Sequence, residues 1–509
     1  MTKNINIIIS ILGIIILNIL LYSQTAGHGF FIYDDPNYVT NNELIQNVDS
    51  VKVNRIFSEF YFSNYQPLVL LTYAAQYSLF GAQAGGYHIV NLLFHILNCI
   101  LVFFLIYLIS RRYSTSVIVA LIFCVHPLQV QAVAWISELK GLMSSSFFIL
   151  SLIAYIYYLQ KDKLQFYILS LLMFILALAS KSMAITLPLI LLLLDYYNEK
   201  PILSKLVNKI PFFALSGIFA VLAVLAQREG GAIHEGRFSS VFEYIIYPFY
   251  NIAFYIRNSV LPLKLSYYYE YARTISFAST MGVISILSII ALIVYAINFR
   301  KIRREINFGI LFFLVILLPI LRFIPIGHTH ASDRYMYLPI IGISFAIVTG
   351  LTYLVERKPQ FKKVCVGLLV VYFITFSVQT YSGCRLWKSS TGLMEDAVSK
   401  YPDNGLAHFG LAFAYMMERN REKTHHELKQ AYRLQPENPI IIFGLASFYD
   451  GVRNYDEAIK LYNETVKHSR KREETYAESL TNLSVIYNKT GRPDEAKRVL
   501  EILNQSTAK

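Results

Sequence analysis

Residues 88–110 read HIVNLLFHILNCILVFFLIYLIS, a run without Asp, Glu, Lys or Arg. A helix needs about 20 apolar residues to cross the hydrocarbon core of a bilayer, so this stretch predicts a transmembrane helix. Similar runs recur along the first 383 residues, and the whole chain is 55% hydrophobic and only 16% charged. This composition excludes a water-soluble globule and predicts an all-α, polytopic membrane protein with about eleven spans.

The net charge of +13 does not indicate nucleic-acid binding, because the basic residues are concentrated in short loops between the apolar runs. This positive-inside pattern predicts a cytoplasmic N-terminus and places the C-terminal part of the chain on the other side of the membrane. The first apolar run has only Lys3 ahead of it and no small-residue cleavage site, which favours an uncleaved anchor. The other segments predicted to lie outside are 23–87, 128–141, 181–182, 227–278 and 327–334.

The C-terminal part of the chain is charged, amphipathic and repetitive. Leu411 and Tyr415 recur as Leu445 and Tyr449, each 34 residues later, and a third copy follows a basic insertion. This period, with small residues and aromatics at fixed positions, is typical of tetratricopeptide repeats. The pattern predicts an α-solenoid, whose concave surface can bind a peptide or a partner protein.

Two domains follow from these patterns. Residues 1–383 are predicted to form the helical transmembrane domain, and residues 384–509 a repeat domain in which one decayed repeat precedes about three repeats. The division into two domains is based only on the apolar runs and on the repeat period.

Two adjacent carboxylates, Asp34 and Asp35, follow the first apolar run in the stretch FIYDDPNYV. Ionised groups are costly at the lipid boundary and like charges raise one another's pKa, so the pair adds no stability there. A carboxylate at the membrane surface can take the proton of an attacking hydroxyl, which favours Asp34 as a general base and Asp35 as a residue that positions it or the acceptor. The alternative is a turn and helix N-cap, for which these residue types are also favoured.

A second polar cluster is the stretch SDRYMYLP between two apolar runs. Arg334, beside Tyr335 and Tyr337, suits a phosphate at headgroup level, because a guanidinium presents several donors in a fork. Lys181 falls at the outer end of another predicted span and can assist. The alternative is that Asp333 pairs with Arg334 and closes the loop.

Metal-ligand patterns are weak in this sequence. His328 and His330 are separated by one residue and have no further ligands nearby. The four cysteines are scattered, with neither a disulfide framework nor the spacing of metal ligands. No metal is expected.

Some polar residues occur where the surroundings are apolar. The stretch 126–140 is too polar for a span and too apolar for a solvated loop, so we expect it at the membrane interface. Tryptophan is enriched at such interfaces, which fits Trp135. Asn91, His95 and Asn98 share one face of the second predicted span. For these three residues we expect interhelical hydrogen bonds rather than a site.

These stretches together resemble the prokaryotic form of the transmembrane-and-tetratricopeptide O-mannosyltransferase family, a relative of the protein O-mannosyltransferases within the GT-C superfamily. The resemblance covers nearly the whole chain, because the motifs occur in the family's order and precede a repeat array. The motifs are Asp34-Asp35 with Tyr38-Val39, Tyr65-Gln-Pro-Leu68, His88-Ile-Val-Asn91 with His95, His126-Pro127 through Trp135, Ser180-Lys181 with Thr186-Leu-Pro188, Asp195-Tyr196, and Asp333 through Pro339.

The resemblance implies a membrane enzyme that transfers a sugar, with inversion, from a dolichyl- or undecaprenyl-phosphate carrier to a hydroxyl on the non-cytoplasmic side. It implies that Asp34 and Asp35 are catalytic and that no nucleotide sugar is used directly. The implied location is the plasma membrane of a prokaryote, and the implied partners are the lipid-linked sugar, membrane lipid and a polypeptide acceptor bound by the repeats. Further candidates for binding the donor or the acceptor are Tyr65, Gln66, His126, Glu138, Lys140 and Asp333.

The chain departs from the family pattern at Gln66, Gln131 and Gly141, where family members often carry Arg, Glu and Asp. Loss of these charges is compatible with a different donor, a different acceptor or a non-catalytic scaffold that displays the repeats. A polymerase or ligase of lipid-linked oligosaccharides is another alternative. A transporter would carry ionisable residues near the midplane of several spans, whereas the charges here lie at the ends.

Overall fold

The computed structural model describes residues 2–199, 206–231, 241–271, 279–323, 329–470 and 474–507. These residues are almost entirely helical, with two short strands at Tyr269–Glu270 and Thr329–Ala331. The chain divides into two compact units. One comprises Met1–Leu265 and Tyr271–Ser389, and the other comprises Ser266–Glu270 and Ser390–Lys509. The predicted all-α fold class is confirmed.

The first unit is built from apolar helices. Seven helices in the described part of the chain are long and apolar enough to cross a membrane, or eight if Tyr113–Val125 and Pro127–Ala134, bent by 55°, count as one span. Its helices are α1 (Thr2–Tyr22), α2 (Ser50–Ser58), α3 (Pro67–Phe80), α4 (Ala84–Ser110), α5 (Tyr113–Val125), α6 (Val130–Ala134), α7 (Leu139–Lys161), α8 (Leu164–Ser180), α9 (Leu187–Tyr197), α10 (Ile210–Glu229), α11 (Val241–Val260), α12 (Thr280–Asn298), α13 (Arg304–Leu317), α14 (Pro339–Arg357) and α15 (Lys362–Leu386).

Fewer helices reach the full spanning length than the eleven predicted from hydropathy. Helices α8, α9 and α13 lie in predicted spans but contain only 17, 11 and 14 residues. Proline explains part of the difference: a 3-10 turn containing Pro319 follows α13. Proline has no N–H for the helical ladder and clashes with the preceding turn, so the regular helix ends there.

The polar residues of α4 bond to other elements, as predicted. Asn91 Nδ2 donates to the carbonyl of Trp135 at 2.9 Å, and Asn98 Nδ2 donates to the carbonyl of Leu142 at 3.0 Å. His95 Nδ1 lies 2.8 Å from the Tyr337 hydroxyl. The two asparagine bonds tie α4 to the segment that carries the start of α7, and the histidine contact ties it to the residues before α14. Buried polar groups must find such partners inside the protein.

Residues 126–140, predicted to lie at the membrane interface, are packed inside the first unit and not spread over its surface. Residues 126–139 are all buried in the first unit, and Trp135 is only 2% exposed. Its ring stacks on that of Trp387, with centroids 5.8 Å apart. Polar groups of this segment find partners within the protein, because Asn91 donates to the carbonyl of Trp135 and Asp35 accepts from the N–H of Ser137. The position of the segment relative to the membrane interface stays a prediction.

The second unit is a stack of paired helices, as the 34-residue period predicts. Four consecutive helices from α17 to α20 begin at an asparagine whose side chain accepts a hydrogen bond from a backbone N–H, the capping that this residue favours. Buried Ala412, Ala446 and Ala458 let paired helices approach closely. The helices are α16 (Ser390–Lys400), α17 (Gly405–Met417), α18 (Arg421–Leu434), α19 (Pro439–Gly451), α20 (Tyr455–His468), α21 (Glu474–Lys489) and α22 (Pro493–Thr507).

Candidate active site

The two carboxylates of the acidic pair lie in different environments. Asp35 is 1% exposed and accepts hydrogen bonds from the backbone N–H of Phe31 at 2.7 Å, from that of Ser137 at 3.0 Å and from the Ser137 hydroxyl. The side chain of Asp34 is 28% exposed. Asp35 therefore joins the first loop to the segment before α7, and Asp34 is the carboxylate that a substrate can reach.

Asp35 precedes a single π-helical turn, Pro36–Thr40, but its side chain makes no capping hydrogen bond to that turn. Burial raises the pKa of the Asp35 carboxyl to about 7, even though the hydrogen bonds from Ser137 and Phe31 favour the ionised form. The alternative in which these residues form a turn is correct for the backbone of this stretch. It does not account for the carboxylate of Asp35, which bonds to a segment distant in sequence.

The residues after the acidic pair fix the loop. Tyr38 and Val39 are fully buried and belong to a hydrophobic cluster with α3, α4 and the start of α7. Gln66 Nε2 donates to the Tyr38 hydroxyl at 2.6 Å. Burying such a side chain stabilises the fold by roughly 1.5–3 kcal/mol, so this anchor holds the preceding carboxylates in place.

Lys140, in the first turn of α7, is the cation nearest to Asp34 in the described structure. Its Nζ lies 3.8 Å from Asp34 Oδ2 and 4.7 Å from the centroid of the Tyr38 ring. The lysine side chain is 12% exposed. It holds the Asp34 carboxylate by charge at a distance that leaves the oxygen open to another donor.

Glu138 draws two further cations together. Its side chain is 2% exposed, with Oε2 3.0 Å from Lys181 Nζ and Oε1 3.1 Å from Arg334 Nε. The Lys181 contact is an aligned hydrogen bond, whereas Oε1 accepts no aligned hydrogen bond from the described residues. Three predicted site residues from separate segments thus meet, and two of them are positive.

The potential at this place is positive. Burial raises the pKa of the Tyr335 hydroxyl, but the charges of Arg334, Arg322 and Lys181 outweigh it and lower the pKa to about 8. The guanidinium of Arg334 lies 4.9 Å from the Tyr335 ring centroid and 5.1 Å from that of Trp135. The surroundings therefore favour an anion at this position.

A cleft enclosing about 270 Å³ of atom-free space opens beside Lys181. Tyr65 and Gln66 line it, and the Tyr65 hydroxyl donates to the carbonyl of Phe57 at 2.9 Å. Its lining residues are Ser63, Asn64, Tyr65, Gln66, Lys181, Ser182, Ala223 and Gln227. The predicted candidates Tyr65, Gln66 and Lys181 therefore share one cavity in the first unit.

Two other predicted candidates, Tyr337 and His126, bond to residues outside this group of charges. The Tyr337 hydroxyl accepts a hydrogen bond from Asn98 at 3.1 Å in the helical core. His126 is fully buried, and its Nε2 lies 3.0 Å from the carbonyl of Ser259. Asp333 is buried at the start of a 3-10 turn. Of the two tyrosines that follow Arg334, the one beside the cations is Tyr335.

The histidine pair gives no indication of a metal centre. His330 is buried, its Nδ1 lies 2.8 Å from Asn251 Oδ1, and burial lowers its pKa to about 3. His328 lies outside the described residues. Within the described ranges no group of three or more His, Cys, Asp or Glu side chains is arranged to hold a metal ion.

Several contributors to the site were not predicted. Ser137 supplies two of the hydrogen bonds to Asp35, and Gln131 Oε1 accepts from the backbone N–H of Arg334 at 2.9 Å. Arg322 is buried near Tyr335. A charged residue at the end of an apolar run is a signal that could have identified Arg322, whereas Ser137 carries none.

Gly141 permits the close approach of Glu138 and Lys181. A Cβ at this position would lie 2.9 Å from Glu138 Oε2 and 3.4 Å from Lys181 Nζ. A larger residue at 141 would require the end of the Glu138 side chain to shift. Gly141 therefore differs from the Asp that family members often carry in more than its charge, because it also leaves room for the ion pair of Glu138 and Lys181.

A YpiA-like tetratricopeptide-repeat family model matches residues 421–469. Over 426 residues the chain is 23% identical to a protein O-mannosyl-transferase of Caenorhabditis elegans, an alignment that covers 79% of this chain and 59% of the relative. It is 22% identical over 483 residues to Protein O-mannosyl-transferase TMTC1 of Homo sapiens, covering 82% and 54% of the two chains. For Protein O-mannosyl-transferase TMTC4 of Homo sapiens the identity is 22% over 458 residues, covering 75% and 61%.

The chain thus spans little more than half the length of these relatives. Similarity to O-mannosyl-transferases over most of the chain agrees with the family resemblance of the motifs. The prokaryotic form of the family stays a prediction.

Proposed function

We propose that this integral membrane protein is a glycosyltransferase that moves a sugar, with inversion, from a polyprenyl-phosphate carrier to a hydroxyl of a protein acceptor. The proposal rests on one observation: the accessible carboxylate of Asp34 lies near a cluster of charges with an excess of positive charge. In that cluster two cations, Lys181 and Arg334, contact one carboxylate, Glu138. A base and an anion site are the two groups that such a transfer needs. The names of the similar proteins support this reaction class and favour mannose as the sugar.

In the proposed reaction Asp34 accepts the proton of the acceptor hydroxyl while its oxygen attacks the anomeric carbon. The bond from that carbon to the phosphate oxygen breaks on the opposite face, which inverts the configuration. The departing polyprenyl phosphate keeps the electron pair and gains negative charge. Arg334 and Lys181 stabilise this charge, so the chain's own cations do the work for which a metal ion would otherwise be needed.

The donor is proposed to be dolichyl- or undecaprenyl-phosphate sugar, with its tail in the bilayer and its headgroup near the cleft beside Lys181. Tyr65 and Gln66 line that cleft and are proposed to contact the sugar. Tyr335 borders the phosphate. In this proposal Asp35 and Lys140 position Asp34, and neither touches the donor.

A test of the proposed function is a comparison of surface glycoproteins from cells with and without the gene. We expect hexose on serine or threonine of particular peptides to disappear on deletion and to return on complementation with the wild-type gene. Mass spectrometry of the glycopeptides measures this directly. An unchanged set of modified peptides would contradict the proposal.

The site is proposed to face the non-cytoplasmic side of a prokaryotic plasma membrane, with the repeats on that side. Helix α14 begins five residues after Arg334 and ends at Arg357, about 28 Å away along its axis. Near that far end, Arg112 Nη1 lies 2.5 Å from Glu356 Oε1, and Arg357 stacks 4.5 Å from the Tyr353 ring. Arg112 and Arg357 belong to two of the short basic loops that the positive-inside pattern assigns to the cytoplasm. They lie at the end of α14 opposite to Arg334, which supports this orientation.

Reporter fusions check the orientation. Alkaline phosphatase fused after residue 509 is expected to be active, because this reporter folds only outside the cytoplasm. A fusion in the basic loop at 300–304 is the matched control and is expected to be inactive. Activity of the loop fusion together with inactivity of the terminal fusion would reverse the assignment.

The repeats are proposed to bind the polypeptide acceptor. Tethering raises the effective concentration of an acceptor near Asp34, which is a physical reason to join a solenoid to a transferase. Truncation after Ser389 is expected to depress modification of whole proteins far more than that of a short soluble peptide. This cut spares Trp387, which packs on Trp135 in the first unit. Equal loss for both acceptors would indicate a structural role instead.

A further inference from the structure

The carboxylate of Glu138 lies between Lys181 and Arg334, the two cations that are proposed to bind the phosphate of the donor. A bound phosphate would be expected at this same position. One oxygen of the carboxylate lies 3.0 Å from Lys181 Nζ and the other 3.1 Å from Arg334 Nε. A phosphate presents two oxygens to a lysine and an arginine in the same manner. The carboxylate is buried, and Glu138 ends the 3-10 turn directly before α7.

The charges of this cluster can be counted. Among the three residues in direct contact, Lys181 and Arg334 contribute two positive charges and Glu138 one negative charge. Arg322, beside Tyr335, adds a further positive charge nearby, and the charges of Lys140 and Asp34 offset each other. The proposed donor is a phosphodiester with one negative charge. The product that remains after transfer is a phosphate monoester, which carries about −1.5 to −2 at pH 7. Glu138 therefore lowers the positive charge of the site by one unit, which weakens the attraction for the more highly charged product more than that for the donor.

A buried ion pair of this kind is a poor source of stability, because desolvation offsets most of the attraction. A carboxylate in an anion site also opposes the binding of the anion itself. Its presence needs another explanation, and the difference in charge between donor and product supplies one. Without Glu138 the site would carry one more positive charge, and the monoester would gain more from this change than the diester.

We infer that Glu138 is a specificity-determining residue that sets the charge of the phosphate site, so that the diester donor is held and the monoester product is released. The inference rests on the proposed function, because it takes Lys181 and Arg334 as the phosphate ligands. In this role Glu138 also holds both cations at the separation that a phosphate requires. Gly141 serves the same arrangement, since a Cβ there would press on the carboxylate.

The test is a pair of affinities, measured on the full-length protein in detergent by calorimetry. The probes are farnesyl phosphate, as the product analogue, and farnesyl phosphate esterified with mannose, as the donor analogue. In Glu138→Gln the site gains one positive charge, and each ligand gains attraction in proportion to its own charge. If the diester binds more tightly by some factor, the monoester is expected to tighten by about the square of that factor.

Glu138→Asp keeps the charge with a shorter side chain. Both affinities are expected to fall in this variant, while the ratio of product to donor affinity stays at the wild-type value. Glu59→Gln is the matched control, because Glu59 is an exposed carboxylate that pairs with Arg55. Both residues lie in the predicted external segment 23–87. Neither affinity should change there.

The outcomes separate the inference from the proposed function. If the wild-type protein binds neither probe, the phosphate assignment fails and the inference fails with it. If the wild type binds both probes and the ratio of the two affinities is the same in Glu138→Gln, the role of Glu138 in discrimination is overturned while the phosphate site stands. A ratio that shifts in Glu138→Gln and returns in Glu138→Asp supports the inference.

Discussion

Asp34→Asn is expected to lower the rate of sugar transfer by roughly two to four orders of magnitude, the usual effect of losing acid–base catalysis. The amide keeps the volume of the side chain but cannot accept the proton of the acceptor hydroxyl. Because Asp34 is the accessible member of the pair, the change should leave donor affinity and thermal stability nearly unaltered. Transfer from a lipid-phosphate sugar to a peptide, measured with purified protein, gives the rate.

Two comparisons sharpen this prediction. Asp162→Asn is the matched control: Asp162 is exposed at the C-terminal end of α7 with a φ of 50°, a conformation that Asn tolerates well, so no loss is expected. Asp35→Asn should instead lower stability, because Asp35 accepts three hydrogen bonds from Phe31 and Ser137. Undiminished turnover in folded Asp34→Asn protein would exclude Asp34 as the base.

Arg334→Gln is expected to weaken donor binding and to lower turnover by roughly 10²-fold or more, as for the loss of one donor to a developing negative charge. Glutamine removes the charge near the departing phosphate. Arg334→Lys should give a smaller loss, because lysine keeps the charge but lacks the fork of the guanidinium. Affinity for the donor and single-turnover rates separate the effects on binding and on chemistry.

The alternative role of Arg334 is to close its loop by ion pairing, and this predicts a loss of stability rather than of donor affinity. Arg55→Gln is the matched control, since Arg55 is half exposed and pairs with Glu59. It should change neither quantity. If both Arg334 variants bind donor and turn over like the wild type, the phosphate must be bound elsewhere.

The membrane helices and the repeats could both be predicted from the sequence. Each depends on a property that is local along the chain: the length of an apolar run against the thickness of a bilayer, and a 34-residue period of small and aromatic side chains. The lengths of the helices were less predictable. Pro319 ends a helical segment that hydropathy alone would continue, because hydropathy averages over the residue that breaks the ladder.

The sequence also identified most of the charged residues that meet, but not how they meet. Asp34 is the base predicted from the sequence, but nothing local shows that Asp35 is the buried member of the pair. Nothing local distinguishes Tyr335 from Tyr337 either. Folding distinguishes them, because Asp35 meets a serine 102 positions away and Tyr337 meets Asn98 in the helical core. Such contacts depend on which helix faces pack together, and that is decided only when the whole unit forms.

Glu138 illustrates the difference most clearly. By itself it is one acidic residue in a stretch that hydropathy assigned to the membrane interface. Packing buries that stretch and brings the carboxylate to Lys181, 43 residues later, and to Arg334. Sequence alone therefore determined the class of protein and the types of residue available for chemistry. The tertiary structure alone decided which charges lie within reach of one another, since electrostatic interaction depends on distance in space and on burial.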